Sequence, residues 1–245
     1  QPISVTEHNG LVYVLNAGGA GNVAGFRLQH GQLSPIAGSS RGLSAAGGTG
    51  PAQVGFGADG DVIVVTEKAT SRILSYPVRR DGTLGAMVAT ASSGATPFGF
   101  AFDRRDHLIV SEAPGSAASS YRFDERSAVP TLISASVPNT QGAACWVAIT
   151  PNGRYAYTGN AATSNVSSYR IARSGRIELA SAVAGVTGPN AGTTDLAVST
   201  DGRRLFAVAP RSLQIVSFRI GAEGTLDTLG AASGLPTGFA GLAAN

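Results

Sequence analysis

The stretches Val166-Ser167-Ser168-Tyr169-Arg170-Ile171 and Ile215-Val216-Ser217-Phe218-Arg219-Ile220 share one pattern, in which an aromatic residue stands late in a short run of apolar and small residues. The pattern occurs five times, with its aromatic residue at Phe26, Tyr76, Tyr121, Tyr169 and Phe218. The spacings between successive aromatics are 50, 45, 48 and 49 residues. Five repeats of about 49 residues account for the whole chain of 245.

Each repeat contains the same series of short strands and tight turns. In the second repeat, residues 52–56 and 62–65 predict two strands joined by Asp59-Gly60, because glycine adopts positive φ in a hairpin turn without steric cost. Two further strands are predicted at 72–78 and 83–91. Four short strands in a repeat of this length are typical of a propeller blade. The predicted fold class is therefore all-β, a β-propeller with five visible four-stranded blades.

The repeats place the blade boundaries within a single predicted domain, 1–245. The strands of a blade are labelled A to D from the hub outward, and the predicted blades are 2–44, 50–93, 94–138, 139–186 and 187–234. Residues 235–245 resemble an A strand with its preceding loop, so an extra C-terminal A strand is predicted.

The extra strand leaves two interpretations open. Either the chain is a fragment of a larger propeller, whose N-terminal fragment would then be a partner, or five blades close and the tail packs elsewhere. We favour the fragment, because an open ring would expose unpaired strand edges and apolar blade faces.

Composition excludes several classes of protein. Charged residues are 13% and hydrophobic residues 43%, which excludes a disordered chain. The single cysteine, Cys145, excludes a disulfide framework and any zinc site with two or more thiolates. The net charge is +3, Lys68 is the only lysine and the arginines are scattered, which argues against nucleic-acid binding.

No apolar run is long enough for a membrane-spanning helix. Because the chain begins at Gln1 rather than Met, we expect a processed or partial chain, periplasmic or secreted, with a cytoplasmic location as the alternative.

The ends of the predicted B strands carry a family resemblance. They read Leu15-Asn16, Thr66-Glu67, Ser111-Glu112 and Gly159-Asn160. Together with the aromatic-Arg or aromatic-Pro pairs of the C strands and the A-strand start at 96–100, they resemble the seven-bladed lactonase family, which includes bacterial 6-phosphogluconolactonases and fungal carboxymuconate cyclases. The resemblance implies a seven-bladed parent and a lactonase-like hydrolase that acts on a sugar lactone or related ester at the central channel.

The candidate site follows from the loops of a propeller. The D–A and B–C loops share one face, where ligands usually bind, and the B-strand ends point there. Lactone hydrolysis needs a base for water and a donor for the developing oxyanion. Glu67 and Glu112, in adjacent blades, are the predicted catalytic carboxylates. The predicted substrate-binding residues are Asn16, Arg72, Gln141, Trp146, Asn160 and Asp195. In this set, Arg72 would hold an anionic group and Trp146 would stack on a sugar.

Each of these assignments has a structural alternative. In this alternative the Asn and Glu side chains bond to loop backbone and fix the B–C turn, and Trp146 packs in the hub. A non-catalytic exported binding or scaffold propeller is the second function, and a cyclase the third. His8, His30 and His107 fall on the turns of the opposite face, so none matches the histidine that a cyclase is thought to use.

The expected partner is a small-molecule lactone or carbohydrate, with no nucleic acid and no membrane span. No cofactor is required, although Glu67, Glu112 and Asp195 are oxygen ligands of the kind that calcium prefers.

Overall fold

The computed structural model describes residues 1–123 and 128–244. Its strands form five antiparallel sheets that follow one another along the chain. The chain divides into two compact units, Gln1–Phe98 with Arg122–Thr131, and Gly99–Tyr121 with Leu132–Asn245.

The first unit contains two sheets, whose strands pair in chain order. The strands of the first sheet are β1 (Pro2–His8), β2 (Leu11–Asn16), β3 (Asn22–Gln29) and β4 (Gln32–Pro35), with β5 (Arg41–Gly42) also paired to β3. The strands of the second sheet are β6 (Pro51–Phe56), β7 (Val62–Glu67), β8 (Arg72–Pro77) and β9 (Val88–Ala91). A core of buried apolar side chains, including Leu15, Ile63 and Leu74, fills the space between them.

The other three sheets have the same order, and most of their residues belong to the second unit. The third consists of β10 (Pro97–Phe102), β11 (His107–Glu112), β12 (Ala117–Phe123) and β13 (Pro130–Pro138). The fourth consists of β14 (Ala144–Ile149), β15 (Tyr155–Asn160), β16 (Asn165–Ile171) and β17 (Ile177–Val186). The fifth consists of β18 (Leu196–Val198), β19 (Arg204–Ala209), β20 (Gln214–Ile220) and β21 (Leu226–Ser233), with a 3-10 turn, η1 (Ala222–Gly224), before β21. Five four-stranded blades are thus confirmed.

The prediction of an extra A strand at the C-terminus is wrong for this structure. Residues 235–244 contain no strand, and Asn245 lies outside the described residues. The backbone of this segment bonds to other groups instead. The amide of Leu235 donates to the carbonyl of Leu213 at 3.3 Å, and the amide of Leu242 donates to Asp195 Oδ2 at 2.8 Å. Within the described residues, no neighbouring B strand is paired with this segment, so its amides take these acceptors.

In the second and fourth sheets, the recurring aromatic residue of the C strand bonds to the sheet before it. Tyr76 and Tyr169 are fully buried. Their hydroxyls donate to backbone carbonyls of the preceding sheet, Tyr76 to Gly42 at 2.9 Å and Tyr169 to Val137 at 3.3 Å. Burial raises the pKa of both phenols. An aromatic ring is needed to fill the space between sheets, and its hydroxyl satisfies a carbonyl there.

Two tyrosines of the B strands connect to the following sheet. Tyr13 donates to the Gly82 carbonyl at 2.5 Å, and Tyr157 donates to the Gly224 carbonyl at 3.2 Å. Both acceptors lie in the turn between the third and fourth strands of the next sheet. Burial raises the pKa of Tyr13 to about 12.

Removing the Tyr157 hydroxyl should destabilise the protein. We expect Tyr157→Phe to lower the free energy of unfolding by about 1–2 kcal/mol, because the buried Gly224 carbonyl loses its donor. Urea unfolding of both proteins measures the difference. Tyr155→Phe is the control, since its hydroxyl bonds to the exposed Glu223 carboxylate, which water can solvate. Equal stability of wild type and Tyr157→Phe would contradict this role.

The first hairpin of the third repeat has no glycine in its turn. Side chains close this turn instead. Asp103 Oδ1 accepts from the amides of Arg105 at 2.8 Å and His107 at 3.0 Å. Asp103 Oδ2 lies 2.9 Å from His107 Nδ1, and both residues are buried. Asp106 takes the positive φ, at 57°, that glycine takes elsewhere. This histidine therefore has a structural role in the turn.

Candidate functional site

In four of the five sheets, the second strand ends in the polar residue that the repeat predicts. Asn16 ends β2, Glu67 ends β7, Glu112 ends β11 and Asn160 ends β15. The last three are almost completely buried. A buried polar group requires hydrogen-bond partners, so their surroundings indicate what each can do.

In the first unit, Glu67 joins two loops. Its Oε1 accepts from the amide of Ser44 at 2.9 Å. Its Oε2 accepts from the hydroxyls of Ser44 and Thr70, both at 2.5 Å. Ser44 precedes β6 and Thr70 lies between β7 and β8, so the carboxylate fixes the D–A loop to the B–C turn. These bonds support the structural role that the sequence left open for Glu67.

In the second unit, Asn160 has an equivalent role built from amides. Its Nδ2 donates to Asn165 Oδ1 and to Ser167 Oγ, each at 2.8 Å. Its Oδ1 accepts from Asn139 Nδ2 at 2.9 Å. Gln141 belongs to the same network, because its Oε1 accepts from Asn165 Nδ2 at 2.7 Å. The structure therefore brings Gln141 and Asn160 together, in a network that ties the D–A loop to the C strand.

Two predicted ligand residues of the first unit lie closer to solvent. Asn16 is half-buried, and its Nδ2 donates to Asn22 Oδ1 at 2.9 Å. Arg72 is exposed at the start of β8, opposite Glu67 in the strand register. Both remain predictions as substrate ligands.

Asp195 is a buried carboxylate whose ionisation is altered. It directly precedes β18 and is buried. Burial raises its pKa to about 6, and the amide donors Leu196 and Leu242 oppose that rise. Each oxygen accepts one of these bonds, Oδ1 from Leu196 at 2.7 Å and Oδ2 from Leu242 at 2.8 Å. A carboxyl with this pKa exchanges its proton near neutral pH, as a general base must.

Trp146 lies on the strand next to Asp195. The amide of Trp146 donates to the carbonyl of Thr194 at 3.2 Å, which places β14 beside the start of β18. The Trp146 side chain is only partly buried. The pair combines an ionisable carboxyl and an accessible aromatic surface within one unit.

The backbone around Trp146 is packed tightly. A Cβ added at Gly99 would lie 2.6 Å from Trp146 Cα, so only glycine fits there. Ser111 Oγ accepts from the Gly99 amide at 3.0 Å and lies within hydrogen-bond distance of the carbonyls of Gly99 and Cys145. Cys145 is buried, as expected for a small apolar residue. Glu112, next to Ser111, is also buried and contributes to the raised pKa of Tyr169.

Sequence reasoning missed several residues of these loops. Ser44, Thr70 and Asn139 are the partners of the strand-end residues, and their small polar types are common in any loop. The sequence distinguishes Lys68 only as the single lysine. Its Nζ lies 5.0 Å from the centre of the Phe98 ring, a cation–π contact.

Across 1–123 and 128–244, no three His, Cys, Asp or Glu residues form a group that could hold a metal ion. Calcium binding by Glu67, Glu112 and Asp195 therefore remains only a prediction. The same residues include no helix of the length and apolarity needed to cross a membrane.

The sequence and structure resemble known proteins. The family model described as "Lactonase, 7-bladed beta-propeller" matches residues 3–140. A Lactobacillus plantarum protein has a TM-score of 0.78 at 16% identity, over 95% of this chain and 71% of its own. A Pseudomonas aeruginosa periplasmic gluconolactonase has a TM-score of 0.73 at 15% identity, over 97% and 72%. A Bacteroides uniformis protein with a proposed 6-phosphogluconolactonase activity scores 0.74 at 18% identity, over 95% and 72%.

These structural matches are all below 20% identity and establish the β-propeller fold alone. None of the curated proteins matches the chain by sequence.

Proposed function

Since the chain belongs to the lactonase family of seven-bladed β-propellers, we propose that it hydrolyses a sugar lactone or related ester. The observation that carries the proposal is the family match over residues 3–140, more than half of the 245 residues. The fold shared with a periplasmic gluconolactonase of Pseudomonas aeruginosa supports it. The partner is then a small-molecule lactone, and a periplasmic or secreted location forms part of the proposal.

Asp195 is the proposed general base. Its carboxylate takes a proton from water while the water oxygen attacks the lactone carbonyl carbon. The ring C–O bond then breaks, and the leaving oxygen receives the proton held by Asp195, which gives the hydroxy acid and restores the carboxylate. Its raised pKa supports this role, because a base with a pKa near the working pH combines availability with proton affinity. Trp146, on the strand whose backbone bonds to Thr194, is the proposed face for the sugar ring.

The two glutamates predicted as catalytic differ in what surrounds them. Glu67 accepts three hydrogen bonds from Ser44 and Thr70, whereas Asp195 accepts two, so Asp195 keeps more lone pairs for a water that it would activate. Glu112 is buried in the same unit as Asp195 and is the second candidate for the base.

A binding propeller without catalysis is the second candidate function. The hydrogen bonds of Glu67 and Asn160 favour it, because both strand-end residues are already used to hold loops. In that case the loop face would recognise a carbohydrate and no bond would be broken.

Acid release from lactones separates the two functions. In a pH-stat at pH 6.5 to 7, δ-gluconolactone and δ-valerolactone are supplied to the purified protein, with heat-denatured protein as the background. We expect release well above the spontaneous rate for the sugar lactone and less for the unsubstituted one. No release above background for either lactone would contradict the hydrolase and leave the binding function.

A further inference from the structure

We propose that a cleft in the first unit, formed by Gly19–Gly21, Gly47–Gly50 and Lys68, binds an oxyanion, a phosphate or a carboxylate group. This goes beyond the lactonase proposal, since it concerns a separate set of residues and does not depend on hydrolysis. The cleft has a volume of about 260 Å³, enough for a phosphate ion or a small carboxylate.

The cleft is formed by three loops. These loops lie on the face where propellers usually bind ligands. Residues 18–21 connect β2 to β3, residues 47–50 precede β6, and Lys68 directly follows β7. The amide of Lys68 donates to the Gly50 carbonyl at 2.9 Å, which anchors the lysine to the second loop. The first loop is a tight turn closed by the Gly21 amide and the Gly18 carbonyl at 3.1 Å.

Both glycine loops present amides that the protein does not use. Among the described residues, no acceptor is bonded to the amides of Gly19, Ala20, Gly47 or Gly48, and all four residues are exposed. Gly19, Gly47 and Gly48 have positive φ, and an added Cβ would meet nothing within 4 Å at any of them. Backbone conformation, not crowding, therefore requires glycine here. Consecutive backbone amides in turns with positive φ form anion-binding concavities, and Gly19-Ala20 and Gly47-Gly48 are two such pairs.

Lys68 carries the only charged side chain among the residues that line the cleft, and Gln1, the first residue, lies there as well. In the part of the chain that the structure describes, the Lys68 ammonium makes no ion pair. The neighbouring Glu67 carboxylate is buried and bonded to Ser44 and Thr70. The Phe98 ring covers one side of the ammonium and leaves its other hydrogens for a ligand. An unpaired cation beside unused amides is suited to an oxyanion.

Titration followed by amide NMR tests the proposal. Inorganic phosphate and gluconate are added separately to the ¹⁵N-labelled wild type at constant ionic strength. We expect shifts concentrated at residues 19–21, 47–50 and 68, with at least one of the two anions saturating. The stronger anion identifies the source, phosphate ester or sugar acid.

Two variants decide whether the binding belongs to this cleft. Lys68→Met should weaken it at least about tenfold, whereas Arg79→Gln, which removes an equal charge outside the cleft, should leave it unchanged. Lys68→Arg should retain most of the affinity. Equal weakening in Lys68→Met and Arg79→Gln, shifts spread over the surface, or no saturable shift with either anion would overturn the proposal. None of these results depends on whether the protein hydrolyses lactones.

Discussion

Replacing Asp195 with Asn is expected to lower kcat/KM for the lactone by at least about 100-fold. Asparagine keeps the size of the side chain and one acceptor oxygen, but it cannot take a proton from water. The residual activity should also lose its dependence on pH near 6, where burial places the ionisation of Asp195. Initial rates of acid release in the pH-stat give both quantities.

Stability shows whether the loss reflects chemistry or misfolding. The pKa of Asp195 is raised to about 6 from an ordinary 3.8, so the folded state holds a proton that the unfolded state releases. This group therefore stabilises the fold most below pH 4, and its contribution falls as the pH rises to 6, by at most about 3 kcal/mol. Asp195→Asn lacks this decrease, so relative to wild type it should become more stable between pH 4 and pH 7.

Glu112→Gln is the matched comparison, because Glu112 is buried in the same unit. If Asp195 is the base, the pH profile of kcat/KM for Glu112→Gln still shows the ionisation near pH 6. Full activity in Asp195→Asn together with inactivity in Glu112→Gln would transfer the role to Glu112.

Truncation of Glu67 is expected to cost the largest amount of stability of any change considered. Glu67→Ala should lower the free energy of unfolding by about 3 kcal/mol, since it removes a fully buried side chain and leaves the half-buried Ser44 amide and two hydroxyls without their acceptor. Equilibrium urea unfolding measures it. Glu67→Gln, which retains one acceptor oxygen, should cost less and gives a value if the alanine variant does not fold.

The control for Glu67 is Glu178→Ala. Glu178 forms an exposed ion pair with Arg176 at 3.3 Å, so its removal should change stability by less than about 0.5 kcal/mol. If Glu67→Ala lowered the free energy of unfolding as little as Glu178→Ala does, the two loops would not depend on the Glu67 carboxylate.

The sequence predicted the sheets because their signals are local. Asp-Gly and Asn-Gly pairs mark hairpins, and the aromatic of the C strand recurs at a nearly constant interval, so blade number and order could be read directly. The position of Asn16, Glu67, Glu112 and Asn160 at strand ends followed from counting residues after each turn. In the third repeat the same number of residues after the turn leads to Glu112, although the turn is closed by Asp103 and His107 and not by a glycine.

What the sequence could not show depends on contacts between distant residues. Ser44 lies 23 residues from Glu67, and nothing in its neighbourhood marks it as a partner. The pKa of Asp195 depends on burial and on the amide of Leu242, which is 47 residues away. The tail was predicted as a strand from its similarity to 96–102, but strand formation also requires a partner strand, and sequence similarity does not supply one.

The pH dependence of kcat/KM for δ-gluconolactone, measured from pH 4.5 to 7.5 with the spontaneous rate subtracted, tests the proposed hydrolase most directly. For the wild type we predict that activity rises with pH through one ionisation near 6, because the base must be deprotonated, and that Asp195→Asn removes this ionisation. A wild-type profile that is flat across this range, or one that Asp195→Asn leaves unchanged, would contradict the assignment of Asp195 as the base of a lactonase.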